Sequence, residues 1–196
     1  MFDMPYLCFY IEAHSNDTTS NYTNISMSLN GAVVVSFVNN TLTDFGNTSA
    51  NFTLAADGRY VLNATTYDKA GNQNSTSINV TVDTIAPAVV LASPINGAAT
   101  NSTNTSSLST YSLKVNVTDA TIGTINSVNF TLINSTGILA NFVATFNSTT
   151  GYYENWSSFN LSSYAEGTYT ILVNTTDSLG NRNTTTNATL YVDRTA

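Results

Sequence analysis

Cysteine and histidine are almost absent from this chain of 196 residues, which has one of each, Cys8 and His14. A single cysteine cannot form an internal disulfide, and the pair is too small for a His/Cys metal cluster. Charged residues make up 9% of the chain, against roughly a quarter of an ordinary globular protein. The five basic residues against twelve acidic ones argue against nucleic acid as a partner, because binding phosphates requires a basic patch.

Long apolar runs are absent too. No stretch of about 18 apolar residues occurs, so the sequence predicts no membrane span. Residues 4–11 are largely apolar, but no basic segment precedes them and no small-residue cleavage site follows, so no secretory leader is recognised. This does not indicate the cytoplasm, because the repeat described below predicts that the chain begins inside a domain.

Catalytic arrangements are also missing. His14 is the one possible general base, and nothing near Glu12 or Ser15 orients it or forms an oxyanion hole. The carboxylates are scattered singly, without the acid–base pair of a glycosidase, and no phosphate-binding glycine loop is present. We therefore expect no enzymatic activity.

The chain is instead rich in small uncharged polar residues, with 27 Asn, 33 Thr and 22 Ser beside a hydrophobic fraction of 42%. Residues 113–118, 128–132 and 78–82 alternate apolar and polar side chains, and β-branched and aromatic residues dominate these segments. Asn30-Gly31, between two such segments, is typical of a two-residue hairpin turn. The sequence predicts an all-β protein.

An internal repeat organises the chain. Residues 58–76 and 167–185 match at a constant offset of 109, and residues 83–87 are echoed from position 193 onward. The second copy therefore has about 110 residues, a usual length for a β-sandwich domain. We predict domains at residues 1–83 and 84–196. The matched pairs include Tyr60/Tyr169, Asp68/Asp177 and Gly71/Gly180.

This order of motifs, with Gly-x-Tyr, Asp-x-x-Gly-Asn and Val-Asp-x-x-Ala-Pro, resembles the immunoglobulin-like (Ig-like) repeats of bacterial and archaeal surface proteins. The resemblance implies two tandem Ig-like antiparallel β-sandwiches. It also implies that Tyr60 and Tyr169 are tyrosine-corner residues, and that Asp68 and Asp177, with Gly71 and Gly180, form the F–G turns. The chain lacks the paired cysteines of antibody domains, and Trp156 does not fall in the expected strand.

The front halves of the copies match less closely. Residues 111–118 correspond to 6–13, which leaves the second copy with an additional first strand near residues 87–93. The first copy then begins at its second strand, and its first strand is either missing or supplied by a neighbour through β-addition. We expect the partners to be copies of this chain in a head-to-tail polymer, or adjacent Ig-like repeats.

The N-glycosylation sequon Asn-x-Ser/Thr occurs twenty times, whereas chance placement gives about eight. In a strand, residues i and i+2 share a face, so the Asn and Thr of one sequon point outward while the middle residue points inward. Ten middle residues are apolar: Tyr22, Ile25, Phe52, Ala64, Val80, Val117, Phe130, Trp156, Leu161 and Ala188. The predicted glycosylation sites are Asn16, Asn21, Asn24, Asn39, Asn47, Asn51, Asn63, Asn74, Asn79, Asn101, Asn104, Asn116, Asn129, Asn134, Asn147, Asn155, Asn160, Asn174, Asn183 and Asn187.

We expect no resident cofactor besides covalent N-glycans. Calcium is the alternative, since Asp83 and Asp193 lie at the predicted joints and Asp68 and Asp177 open the F–G turns, but no Asp-x-Asp-x-Asp loop is present. A Lys–Asn cross-link would require a core-facing lysine, and Lys114 is predicted to point outward. We interpret Cys8 as a small buried hydrophobe.

These observations predict a structural module of an extracellular, heavily N-glycosylated surface filament or stalk, and archaeal origin fits many sequons without disulfides. An adhesin or carbohydrate-binding module is the alternative, with Tyr152, Tyr153 and Trp156 as its aromatic cluster. Because Tyr152 and Trp156 share parity, a core position explains them equally well. A spacer in a large secreted enzyme is a third reading.

Overall fold

A computed structural model describes residues 7–14, 19–39, 47–101, 113–120, 124–155 and 164–193. Their regular secondary structure is entirely β-strand, which confirms the all-β prediction. No helix of the described residues is long and apolar enough to cross a membrane. The chain divides into two compact units, Met1–Thr84 and Ile85–Ala196, called the first and second domain below.

The described part of the first domain contains six strands: β1 (Leu7–His14), β2 (Ser20–Leu29), β3 (Ala32–Asn39), β4 (Asn47–Leu54), β5 (Gly58–Asp68) and β6 (Gln73–Val82). β1 and β4 form an antiparallel pair, and the other four strands form a sheet in the order β3-β2-β5-β6. Side chains from both sheets build one core, which includes Ile25, Phe52 and Leu62. The domain is a two-layer sandwich.

The second domain contributes nine described strands: β7 (Ala88–Ser93), β8 (Ala98–Asn101), β9 (Leu113–Thr118), β10 (Ile125–Asn134), β11 (Gly137–Val143), β12 (Thr145–Asn147), β13 (Tyr152–Asn155), β14 (Gly167–Asp177) and β15 (Arg182–Asp193). One sheet has the order β12-β13-β9-β7 and the other β11-β10-β14-β15-β8. β8 pairs parallel with β15, and the other pairings are antiparallel. The core between the sheets includes Val115, Phe130 and Ile171.

Alternation of apolar and polar side chains along the strands directs the apolar ones into these cores. In β10, Val128, Phe130 and Leu132 are buried, and they come from one of the segments predicted to alternate. The predicted hairpin between β2 and β3 is also confirmed, since Asn30 has a φ of 50° and Gly31 a φ of 88°. Positive φ at both positions gives the turn a twist that matches its strands.

The two domains share the strand register at the tyrosine end of their long hairpins, before a register shift between Val173 and Thr175 in the second domain. Tyr60 lies opposite Val80 in β5 and β6, and Tyr169 lies opposite Leu190 in β14 and β15. They differ at one edge. In the second domain β9 pairs with both β13 and β7, whereas among the described residues of the first domain β1 pairs with β4 alone. β7 lies where the sequence places the additional first strand.

Candidate functional site: sequon-bearing outer faces

The outer faces of the strands carry many of the predicted glycosylation sites. In the sequon at residues 51–53, Asn51 and Thr53 are exposed while Phe52 is 2% exposed. The sequons at 79–81 and 116–118 follow the same pattern, with Val80 half-buried and Val117 buried. Six of the eight apolar middle residues whose side chains are described are buried: Ile25, Phe52, Ala64, Val117, Phe130 and Ala188. One tripeptide therefore contributes to both the core and the outer surface.

The sequon at residues 21–23 departs from this pattern. Thr23 is buried and Tyr22 is half-buried, which corrects the inward position predicted for Tyr22. The cause is the parity of β2, in which Thr23, Ile25 and Met27 are buried, so Tyr22 lies on the opposite side of the strand. Tyr22 instead stacks on Tyr67 at a centroid distance of 4.4 Å. Thr23 hydrogen-bonds with the hydroxyl of Thr66 at 3.2 Å.

The amide nitrogen Nδ2, the atom that an N-glycan modifies, divides the sequon asparagines into two groups. In one group Nδ2 donates a hydrogen bond within the protein and the side chain is half-buried: Asn39, Asn63, Asn147, Asn155, Asn174 and Asn183. In the other group the side chain is exposed: Asn21, Asn51, Asn74, Asn79, Asn116 and Asn187. Of these, Asn187 also donates from Nδ2, to the carbonyl of Thr185 at 3.3 Å. The exposed asparagines are therefore the better candidates to accept an N-glycan.

Other predicted sites fall between or outside these groups. Asn24, Asn129 and Asn134 are half-buried, and Oδ1 of Asn134 accepts bonds from the backbone and hydroxyl of Thr136. The following side chains lie outside the described ones: Asn16, Asn47, Asn101, Asn104, Asn160, Cys8, Trp156 and Leu161.

The two predicted tyrosine-corner residues are buried. The hydroxyl of Tyr60 donates to the carbonyl of Ala56 at 2.8 Å and accepts from the amide of Ala56 at 3.1 Å. The hydroxyl of Tyr169 donates to the carbonyl of Ala165 at 2.6 Å. Each bond ties the entry of a long strand to the residue four positions earlier.

Gly58 and Gly167 begin these strands with φ values of +154° and +148°. A Cβ atom at Gly58 would collide with Cδ1 of Leu29, whereas a Cβ atom at Gly167 would meet nothing within 4 Å. The same repeat position is therefore crowded in one domain and open in the other.

The turns after β5 and β14 are organised by aspartates. Asp177 Oδ1 accepts from the amides of Leu179 and Asn181, and Oδ2 accepts from Nδ2 of Asn181 at 2.8 Å. Burial alone raises the pKa of Asp177, but these hydrogen bonds outweigh it and lower the pKa below its ordinary value. Gly180 follows with a φ of +95°, a left-handed conformation that glycine adopts without strain.

The first domain repeats this turn. Asp68 accepts from the amides of Ala70 and Asn72 and from the side chain of Asn72. The Asn72 side-chain hydrogen bond is the main cause of its lowered pKa. Gly71 has a φ of +88°. Asp68 and Asp177 therefore act as caps of their own turns.

Calcium binding stays a prediction. In the second domain, carboxylate oxygens of Asp119 and Asp177 lie within 4.8 Å of each other, which adds Asp119 to the acidic residues named from sequence. Asp83 is buried and Asp193 is exposed. A tight calcium site takes six to eight oxygen ligands, so two carboxylates supply a small part of one.

A buried polar cluster at Glu154 was not predicted from the sequence. Glu154 is 2% exposed, and its Oε1 lies 3.4 Å from Nζ of Lys114. Thr150 donates to Oε1 at 2.8 Å, and Nδ2 of Asn147 donates to Oε2 at 3.0 Å. Lys114 alternates with buried Leu113 and Val115 and points away from the core, as predicted. Its ammonium group lies beside the buried carboxylate of Glu154. The three strands β9, β13 and β12 are joined by this cluster.

Other predicted residues occupy ordinary positions. Tyr153, rather than Tyr152, packs against the core, and its ring lies 5.2 Å from that of Phe146. Of the two readings left open for this aromatic cluster, the core position applies to Tyr153, because the inward parity of β13 belongs to it and not to Tyr152. His14 lies 3.7 Å from Glu12, and the side chains of both are exposed.

These two sandwiches are Ig-like domains. The family model for the bacterial Ig-like domain matches residues 11–84 and 89–194, and the chain belongs to this family. The two matches correspond to the two copies of the sequence repeat. No curated protein matches the chain.

Several solved structures are similar at low identity. The tetra-tandem repeat in the extending region of a large adhesion protein is 22% identical over 96% of this chain and 50% of its own, with a TM-score of 0.49. A 1.5-MDa bacterial ice-binding adhesin is 14% identical over 96% of this chain and 59% of its own, with a TM-score of 0.44. The Clostridium thermocellum CbhA fibronectin(III)-like modules are 20% identical over 94% and 86%, with a TM-score of 0.37. This chain spans 50% and 59% of the length of the two adhesin chains.

Proposed function

We propose that this chain is a non-enzymatic structural module of an extracellular surface filament or stalk, with N-linked glycans on the outer faces of its strands. The observation that carries the proposal is the division of single tripeptides between core and surface. Asn116 and Thr118 are exposed, and Val117 between them is buried. A strand of this kind presents a glycan acceptor without disturbing the packing behind it.

Glycans would also account for the composition. A soluble surface ordinarily carries about 25–35% charged residues, whereas this chain has 9% in all. N-linked sugars are bulky and strongly hydrated. They would supply the hydrated layer that charged side chains supply in other proteins, and five basic residues would leave trypsin-like proteases few cleavage sites.

The test is the intact mass of the protein from its native cell surface, before and after enzymatic or chemical deglycosylation, with site mapping. We expect occupancy at Asn51, Asn79 and Asn116, which are exposed. We expect low occupancy at Asn147 and Asn155, whose amide nitrogens donate to Glu154 and to the carbonyl of Val143. A mass equal to that of the bare polypeptide would contradict the proposal.

A pair of variants separates the sequon from the strand. Thr81→Val removes the sequon at Asn79 at an exposed strand position, and we expect the protein to become lighter by one glycan. Thr81→Ser keeps the sequon and should keep the mass of the glycan. Equal masses of the two variants, after allowance for the side chains, would show that Asn79 carries no glycan.

We further propose that the modules assemble head to tail with neighbouring copies or Ig-like repeats, and that a neighbour's strand completes the first domain. The edge of β1 that faces away from β4 supports this assembly, because no described strand of the first domain pairs with it. An adhesin function has less support among the described residues, because Tyr153 of its aromatic cluster packs into the core.

A further inference from the structure

We propose that the cleft between β1 and β6 of the first domain binds the first strand of an Ig-like repeat from a neighbouring subunit. The strand is extended and uncharged, with apolar side chains at alternate positions. This inference rests on the proposed head-to-tail assembly and names the segment that the assembly inserts. Its basis is the same position in the second domain, where the chain's own first strand is present.

Matched residues of β6 and β15 show the difference. The registers with β5 and β14 place Ile78, opposite Leu62, at the position that Ala188, opposite Ile171, has in the second domain. Ile78 is 54% exposed and Ala188 is 0% exposed. An isoleucine directed toward a core yet half in water marks an uncovered part of that core.

In the second domain this region is covered by β7 and β8. β7 packs against β14 and β15, and its residues Val89 and Leu91 contact the core cluster. β8 then pairs parallel with β15 from Leu190 onward. One segment therefore closes the edge of β9 and the edge of β15 together.

In the first domain a cleft of about 570 Å³ lies in this region. Ile11 and Ala13 from β1, Leu62 and Ala64 from β5, and Ile78 from β6 line it. Its lining also includes polar residues of β6, together with Glu12, His14 and Asp68. Apolar walls with backbone edges on two sides suit β-strand addition, in which main-chain hydrogen bonds give affinity and alternate side chains give specificity.

The chemistry of the occupant follows from the second domain. Residues 85–101 contain no charged side chain, and neither does β6. Val89 and Leu91 face the core of the second domain, while Val90 is 65% exposed. Because β7 is engaged in its own domain, we assign the cleft to the corresponding segment of a neighbouring subunit.

The test uses the full chain and a fluorescent synthetic peptide with the sequence of residues 85–101. We expect the peptide to bind, measured by anisotropy, and to protect backbone amides of β1 and β6 from hydrogen exchange. The peptide variant Val89→Asp should bind at least about tenfold more weakly, because a carboxylate would replace an apolar side chain in a cleft that already holds Glu12 and Asp68. The variant Val90→Asp should bind as the parent peptide does, because Val90 faces outward.

Variants of the protein provide the matching control. Ile78→Lys should weaken peptide binding at least about tenfold and leave the melting temperature unchanged, since the side chain is already half exposed. Ile138→Lys changes an isoleucine that is 68% exposed on β11 and should leave binding unchanged. Absence of binding, equal binding by the two peptide variants, or protection at β9 and β15 instead would overturn the inference. Glycan mapping would be unaffected by that failure, so the proposed surface function is tested separately.

Discussion

Replacement of Lys114 by methionine tests the buried cluster at Glu154. The Glu154 side chain is 1% exposed and that of Lys114 is 26% exposed. Removing one partner of a fully buried ion pair costs about 3–5 kcal/mol, because the other charge stays buried. Since Lys114 is partly exposed, its loss should cost somewhat less, about 2–3 kcal/mol.

The order of two variants is the sharper prediction. Glu154→Gln keeps acceptor and donor groups beside Asn147 and Thr150, and it leaves a lysine whose ammonium group can reach water. We expect this variant to cost about 1 kcal/mol, which is less than Lys114→Met. The double variant should be more stable than Lys114→Met alone, because it no longer buries a carboxylate without its lysine.

Calorimetry of the full chain measures both effects as shifts of the second domain's transition. For a domain of this size, 2–3 kcal/mol lowers the melting temperature by roughly 10 °C or more. Lys69→Met is the matched control, because Lys69 is exposed in the first domain, and it should change stability by less than about 0.5 kcal/mol. If Lys114→Met costs no more than Glu154→Gln, the argument from burial is refuted.

Three further predictions concern the strand entries and the turns, and thermal melting checks each of them. Tyr60→Phe removes two hydrogen bonds and should destabilise its domain more than Tyr169→Phe, which removes one bond worth about 1 kcal/mol; the reverse order would contradict this. Gly58→Ala should cost more than Gly167→Ala, because the added methyl requires the Leu29 side chain to move in the first case alone, and a smaller loss at Gly58 would contradict this. Because the folded pKa of Asp177 lies below its ordinary value, its contribution is complete above the unfolded pKa and is lost as the pH falls through the folded pKa. Asp177→Asn should therefore weaken the acid dependence of stability, and an unchanged profile would contradict that role.

Alternation and spacing were sufficient to predict the class of fold. Val128, Phe130 and Leu132 are separated by polar residues, and a period of two allows one buried face. The turn at Asn30-Gly31 was predictable because its conformation depends on those two residues. These features are local, so the sequence alone contains them.

Two exceptions have different causes, one within a strand and one between distant strands. Tyr22 faces outward because it is three positions from Ile25, and two residues of opposite parity in β2 cannot both face the core. Glu154 and Lys114 are forty positions apart, and they meet because β13 pairs with β9. Alternation along β9 correctly predicted that Lys114 points away from the core. It could not predict that the buried Glu154 lies beside Lys114 on the neighbouring strand.

The comparison of β6 with β15 extends this reasoning to stability. Tyr60 and Tyr169 are the third residues of equivalent strands and lie opposite Val80 and Leu190, so the local determinants of the two domains agree there. Burial nevertheless differs at Ile78 and Ala188, because burial at this position depends on a segment from outside the sheet. The repeat therefore specifies the strands in both domains, whereas the core around Ala188 is completed by β7, which packs against β14 and β15. A neighbouring subunit that supplies the corresponding strand would stabilise the first domain and join the modules in the same step.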